Sequence, residues 1–391
     1  MGTASLRIAI VTENFLPKID GVTRVLARLL EYLHEQGHQA LVIGPKTAPL
    51  SFAGARVVHM PGQRFHWYPE LQWSHFTASC GRALYDFRPH VVHLVHPIHV
   101  GEGALRWAAR AGAPTIASYH IVMEQYVPSL GLLPRIFAPL IISRTRWVCN
   151  RADLRVCTSR TMVDYLRAHG YRMPLVVWPR GVDSKHFSPE RRSYACRAQL
   201  TGGHPDRLII LYLGRLSREK GLLTLAEAFA HADPWARGWH LVLIGDGPLR
   251  PFLETRLANL PATFTGYLDG EAVPEALASA DIFAFPSTTE TYGLVVSEAL
   301  ASGVPIVAMS AGGVCDQIED GVTGLLADPA IPGSFARRLM DLAQNASLRA
   351  RLATAGRAVA LQRSWTRAME WMVDCYASVA ATPRIPVSAV K

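Results

Sequence analysis

The chain has 391 residues, 49% of them hydrophobic, a length that exceeds one ordinary domain and an apolar content sufficient for two cores. Its net charge of +9 calls for an anionic partner: nucleic acid, an acidic membrane surface or a diphosphate substrate. No segment reaches the ~18 uninterrupted apolar residues of a membrane span, and six cysteines without a C-x-x-C pair fit neither a zinc knuckle nor a disulfide framework.

In chain order, residues 7–11 form a short β-branched run that Glu13 and Asn14 close off; it is too short for a signal-peptide core. Leu6 stands where a myristoylation signal wants Ser or Thr. The chain is therefore expected to be cytosolic, or at most peripheral on the inner face of a membrane. After the loop 12–21, Val22, Val25, Leu26, Leu29, Leu30 and Leu33 recur at helical spacing until Gly37. A second strand follows over 40–43, completing a βαβ unit. The alternation continues with a strand over 91–95, a helix over 104–111, and strands over 115–118, 154–158 and 175–177.

A linker rich in turn-formers occupies 178–205. The pattern then restarts with a strand over 208–213, a helix over 222–232 and strands over 240–244, 263–266, 282–285 and 306–308, with a helix over 295–302 before the last. The expected fold class is α/β, with two facing Rossmann-like domains and an interdomain cleft lined by the loops after the strands. Residues 383–391 carry two prolines and no helical period, and are expected to fray.

The stretch 286–303, PSTTETYGLVVSEALASG, is the most informative. Glu290 falls in a loop after a strand, and Glu298 in the second turn of the helix that follows. The amides around Tyr292, Gly293 and Leu294 are then the donors of a helix N-terminus, suited to a phosphate. The carboxylates on either side suit sugar and ribose hydroxyls. A solvated pair of glutamates at a helix start is the plain alternative.

The second constellation is Gly214-Arg215-Leu216-Ser217-Arg218-Glu219-Lys220-Gly221, after the first strand of the second half. Arg215 offers a planar fork of donors and Lys220 a compact charge, and together they match a diphosphate. Both could instead be solvated, and Glu219 could neutralise either. There is no D-x-D and no carboxylate cluster suited to Mg²⁺. No cofactor and no metal are expected, and Arg215, Lys220 and the helix start would meet the charge of a departing nucleotide.

His120 follows the strand 115–118, and His90, His93, His96 and His99 recur every third residue. Alternate strand residues point to opposite faces, so those four do not converge on a metal. The stretch 132–172 mixes large apolar residues with eight arginines and two acids, Asp153 and Asp164. Such a surface can lie on an anionic membrane, or it can be an ordinary helix with a core face and a solvated face.

Taken as a set and in order, these motifs resemble the retaining glycosyltransferases of family 4, whose architecture is called GT-B. The motifs are Glu290…Glu298, Gly214-Arg215…Lys220-Gly221, Gly245–Pro248, Gly181–Phe187 and the opening loop Phe15-Leu16-Pro17…Asp20-Gly21-Val22. The resemblance implies that Glu298 holds the ribose, Glu290 contacts the transferred sugar, and Arg215 and Lys220 clamp the diphosphate. It implies that the backbone near Gly266, Tyr267 and Leu268 reads the base, and that His120 lines the sugar pocket and hydrogen-bonds there. Where many members have Gly-Gly, this chain has Asp20-Gly21; Gly21 still admits the donor phosphate, and the role of Asp20 stays open.

The implied domains are an acceptor-side domain over 1–178, a nucleotide-sugar-binding domain over 179–364, and a helix crossing back plus a tail over 365–391. The expected reaction transfers a hexose from GDP-mannose or a UDP-sugar, without a metal, to a lipid or glycan acceptor. Partners would be the nucleotide-sugar donor, that acceptor and an anionic membrane surface, with no nucleic acid. A UDP-sulfoquinovose- or UDP-glucose-dependent glycolipid synthase is the nearest alternative. A non-catalytic GT-B scaffold or binding protein is the alternative from another class. An oxidoreductase is disfavoured because the loop 12–21 lacks G-x-G-x-x-G, and an RNA-binding protein because no RRM, KH or zinc-finger signature is present.

Overall fold

The computed structural model describes residues 5–18, 20–65, 68–123, 132–268 and 270–382. The expected fraying of 383–391 lies outside the described residues. The chain divides into two compact units. Unit 1 combines the chain up to Pro179 with the segment from Thr366 onward, and unit 2 runs from Arg180 to Trp365.

Among the described residues, unit 1 is built on an eight-stranded sheet. Its order is Leu175–Val177, Leu154–Cys157, Thr115–Ser118, Val91–Val95, Arg7–Thr12, Gln39–Pro45, Ala55–Met60 and Ser51–Phe52. All neighbours are parallel except the last pair. The central strands are apolar and buried on both faces, as parallel strands covered by helices must be. Val91–Val95, for instance, is buried throughout. The helix Gly21–Glu35 buries Val25, Leu26, Leu29, Leu30 and Leu33, the stripe its spacing foretells. The helix Trp365–Ala381 buries Ala368, Met369, Met372, Val373 and Tyr376. Its Ala368 carbonyl accepts a hydrogen bond from Trp178 Nε1 at 3.0 Å.

Unit 2 carries a six-stranded, wholly parallel sheet. The order is Ala262–Gly266, Trp239–Ile244, Leu208–Leu213, Ile282–Phe285, Ile306–Met309 and Leu325–Ala327. Numbered along the chain this is 3-2-1-4-5-6, the doubly wound arrangement with its reversal between the first and fourth strands. Ile210 and Leu211 pair there with Ile282 and Phe283. Ligands in such sheets bind beyond the carboxyl ends of the strands that flank the reversal. In unit 2 these strands feed the loops 214–221 and 286–293.

Candidate active site

The two motifs of unit 2, far apart in sequence, meet at the reversal. Lys220 ends a short 3-10 turn, Arg218–Lys220, and its Nζ lies 2.5 Å from Glu290 Oε1. Their side chains stay 24% and 17% exposed. Glu290 Oε1 also has Ser287 Oγ at 3.5 Å. The sequence left Glu219 as a competitor for the cations. It accepts instead from Ser217 Oγ at 2.5 Å, while its carbonyl holds Thr289 Oγ1 at 3.2 Å. The loops close up only because residue 221 is glycine. It has φ +69°, and a Cβ there would stand 2.3 Å from the Pro286 carbonyl oxygen.

Arg215 is half-buried on the same loop as Lys220. Its carbonyl accepts from the Tyr212 hydroxyl at 3.0 Å, and burial holds that phenol well above its usual range. Backbone bonds lace this loop to its neighbours: Leu216 N to Asp246 O at 2.9 Å and Gly245 N to Gly266 O at 2.8 Å. Gly266, Tyr267 and Leu268 are thereby tied to the same loop cluster. Tyr267 is 73% exposed, and Leu268 packs against the core.

The helix Leu294–Ala301 starts at Gly293, which adopts φ 82° and brings no side-chain cap. Tyr292, Gly293 and Leu294 line that start, and Glu298 sits in the second turn, 4% exposed. What holds this start in place was not evident from the sequence. Gln317 Nε2 donates to the Tyr292 carbonyl and, at 3.2 Å, to that of Gly293. Gln317 Oε1 accepts from Ser297 Oγ at 2.6 Å and from Arg363 at 3.2 Å. Beneath the loop, Gly313 N donates to Glu290 O at 2.8 Å. A Cβ on Gly312 or Gly313 would fall 2.1 Å from the carbonyl oxygen of Glu290 or Thr291 respectively. The only advance signal was the pair of glycines after the strand Ile306–Met309.

Asp20, Gly21 and His120 belong to unit 1. The question left open for Asp20 has a local answer. Its Oδ1 accepts from Val22 N and Thr23 N at 3.0 and 2.9 Å, Thr23 Oγ1 accepts from Asp20 N at 2.8 Å, and Oδ2 pairs with Lys18 at 3.1 Å. This is a capping box, an arrangement worth about 1 kcal/mol of helix stability. Gly21 is the first, exposed residue of that helix. His120 is 7% exposed, with Nε2 2.8 Å from Ser118 Oγ.

The four spaced histidines diverge. His90 Nδ1 takes the Arg7 N–H at 3.2 Å, His93 faces Tyr376 and Ser118, and His96 Nε2 lies against Met123 Sδ at 3.1 Å. Burial lowers His96 and His99 to about 4, so both are neutral at physiological pH. Among the described residues, no group of three His, Cys, Asp or Glu side chains could hold a metal ion.

Sequence reasoning used Glu13 only as the end of an apolar run. It is half-buried, and its Oε1 accepts N–H groups from Ile98, His99 and Val100 at 3.1, 2.8 and 3.4 Å. Burial outweighs those bonds and raises its carboxyl to about 7. The basic stretch 132–172 also needs correction as a single surface, because it contains a buried strand. Arg155, 6% exposed, donates inward to the carbonyls of Ala152 at 2.8 Å and Pro174 at 3.1 Å. The helix Leu132–Cys149 does present Ile136, Phe137, Leu140 and Trp147 outward. Among the described residues no helix is long and apolar enough to cross a membrane.

The fold and motifs define a class, and comparison with known proteins agrees. HepE of Anabaena, solved in complex with UDP-glucose, superposes with a TM-score of 0.74 at 20% identity, over 95% of this chain and 100% of that one. Sucrose-phosphate synthase of Thermosynechococcus elongatus gives 0.76 at 21% identity, over 96% and 99%. These likenesses establish the GT-B fold. Residues 19–186 match the model for Glycosyltransferase Family 4, and residues 201–359 the model for Glycosyl transferases group 1. A GDP-mannose-dependent alpha-mannosyltransferase of Mycobacterium tuberculosis is 36% identical over 96% of this chain and 97% of its own length. The sulfoquinovosyl transferase SQD2 of Arabidopsis thaliana is 32% identical over 93% and 71%. The chain belongs to glycosyltransferase family 4, and it is a glycosyltransferase.

Proposed function

We propose that this enzyme moves mannose from GDP-mannose to a lipid-linked acceptor, with retention at the anomeric carbon and without a catalytic metal. The observation that carries the reading is the meeting of Lys220 and Glu290 at the strand reversal, beside a helix start whose N-cap, Gly293, brings no side chain. A cation, an uncapped helix N-terminus and a carboxylate suit a ligand that is a diphosphate at one end and a polyol at the other. Three relatives named GDP-mannose-dependent alpha-mannosyltransferase, 34–36% identical, support the choice of donor.

In this scheme the bond from the sugar C1 to the diphosphate oxygen breaks, and a bond to the acceptor oxygen forms on the same face. The acceptor's proton passes to the leaving phosphate oxygen. Arg215, Lys220 and the amides around Tyr292, Gly293 and Leu294 stabilise the charge that develops there. Glu290 accepts hydrogen bonds from the transferred sugar and Glu298 from the ribose. The backbone of Gly266, Tyr267 and Leu268 meets the base, Gly21 lets the chain approach the donor, and His120 hydrogen-bonds the sugar. Asp20 is left to its helix.

A lipid acceptor and a peripheral place on the inner membrane face are supported by Ile136, Phe137, Leu140 and Trp147. They are 60%, 54%, 68% and 41% exposed on a helix that also carries Arg135, Arg144 and Arg146. Co-sedimentation should favour anionic over neutral vesicles; equal binding would remove the charge argument.

The test is a donor panel of GDP-mannose, UDP-glucose and UDP-sulfoquinovose with extracted lipid acceptors, in the presence of EDTA. NMR would read the anomeric configuration of the product. GDP-mannose should give an α-linked product at a rate EDTA leaves unchanged. A β-linked product or loss of activity in EDTA would overturn the scheme. The 32% identity to a sulfoquinovosyl transferase keeps one second reading, and preferential turnover of UDP-sulfoquinovose would select it.

A further inference from the structure

The helix Trp365–Ala381 sends Tyr376 into the interior of unit 1. Its hydroxyl lies 2.7 Å from His93 Nδ1, His93 Nε2 lies 2.9 Å from Ser118 Oγ, and Ser118 Oγ lies 2.8 Å from His120 Nε2. Tyr376 and His93 are fully buried, Ser118 is 1% exposed and His120 7%. Trp178 packs against both imidazoles, with ring centroids 5.9 Å from His93 and 6.2 Å from His120. Its indole N–H is tied to the same C-terminal helix.

Every atom in this string is able to donate or accept, so two proton orderings are chemically available. Its far end chooses between them. Among the described residues, the hydrogen-bond partner of the Tyr376 hydroxyl is His93 Nδ1. A buried phenol proton without an acceptor carries an unrecovered desolvation penalty, so Tyr376 must donate. His93 then carries its proton on Nε2 and donates it to Ser118 Oγ, and the Ser118 hydroxyl donates to His120 Nε2.

We propose that Tyr376 and His93, acting through Ser118, are positioning residues that hold His120 as a neutral imidazole protonated on Nδ1. The inference rests on the assignment of His120 to the transferase site and adds to it a tautomer and a cause. His120 would carry its proton on Nδ1, while Nε2 accepts from Ser118 and takes no part as a base.

The string also opposes protonation of His120. An imidazolium must donate from Nε2 into Ser118, so either the Ser118 hydroxyl proton loses its acceptor or the links reverse and the Tyr376 proton loses its own. Burial holds the Tyr376 phenol well above its usual range, so the phenol does not ionise to accommodate the reversal. The other titratable neighbours stay constant. His96, whose Nδ1 accepts the His120 backbone N–H at 3.3 Å, is lowered by burial to about 4, and Cys375 beside Tyr376 is raised to about 11. Neither changes charge between about pH 5 and 9.

Long-range ¹H–¹⁵N spectra of the ¹⁵N-histidine-labelled enzyme test this directly, with His120 assigned by the signal lost in His120→Gln. The wild type should show the Nδ1–H tautomer. In Tyr376→Phe and in Ser118→Ala, His120 should titrate about one pH unit higher. The acid limb of kcat/KM should move with it, while the KM for the donor stays within about twofold. An Nε2–H tautomer in the wild type, or an unchanged His120 titration in the variants, would overturn the proposal. Should Tyr376→Phe not fold, Ser118→Ala carries the same comparison alone. Full turnover by His120→Gln would overturn the assignment of His120 to the site, and it is distinguishable because the tautomer is read independently of activity.

Discussion

Both units place a helix N-terminus beside a strand reversal, and they furnish it in opposite ways. In unit 1 the loops after Arg7–Thr12 and Val91–Val95 are joined by Glu13, whose carboxyl accepts the amides of Ile98, His99 and Val100 just ahead of the helix Gly101–Arg110. The chain supplies its own acceptor there. In unit 2 the corresponding helix begins at Gly293, likewise with no side-chain cap, and Lys220 and Glu290 pair beside it, mostly buried. In unit 1 a carboxylate meets the backbone amides of a neighbouring loop, and in unit 2 a cation and a carboxylate from two loops pair with each other.

The comparison is broken most decisively at the cations. Lys220→Ala and Arg215→Ala should each lower kcat on the order of 10²–10³, the cost of removing one preorganised donor from developing charge. Circular dichroism should show both variants folded at the assay temperature, so that the loss reads on turnover and not on unfolding. Wild-type turnover by both variants would mean that unit 2 is as self-contained as unit 1.

Gly313→Ala should come next. Its methyl would fall 2.1 Å from the Thr291 carbonyl oxygen and must push the Glu290 loop aside. A displacement near 1 Å costs about 10² in rate, and unfolding by circular dichroism should confirm that the fold persists.

Glu13→Gln should leave turnover within severalfold and act on stability instead. Glu13 has a folded pKa near 7 against an ordinary 4.5, so the folded state binds more protons between those values. Wild-type stability should therefore fall as pH rises through that window, by an amount on the order of 3 kcal/mol. The glutamine variant should lack that slope. Melting temperatures at pH 5 and pH 7.5 would measure it, and identical slopes in the two proteins would remove the buried-carboxyl account.

What the sequence disclosed and what it concealed follow from the range of the signals. Strands such as Val91–Val95 and Leu208–Leu213 were legible because parallel strands buried on both faces are unbroken apolar runs. The loops that carry Arg215, Lys220 and Glu290 were legible because turn residues follow each apolar strand run. The strand Ala55–Met60 was not, since Arg56 and His59 interrupt its apolar pattern. Gln317, Ser297 and Arg363 escaped notice because three scattered polar residues acquire meaning only once folding brings them under the Tyr292 carbonyl. Glu13 and Arg155 misled for a related reason. A charged residue in sequence looks solvated, and only the fold shows that backbone amides or carbonyls have replaced the water.

The most direct test of the central claim is calorimetric titration of GDP into the wild type, Arg215→Ala and Lys220→Ala, with EDTA present throughout. The account predicts that the wild type binds GDP without a divalent ion and that each variant loses at least about tenfold in affinity, as expected for a lost charge-assisted hydrogen bond. Equal affinity in all three proteins, or binding that EDTA abolishes in the wild type, would contradict it.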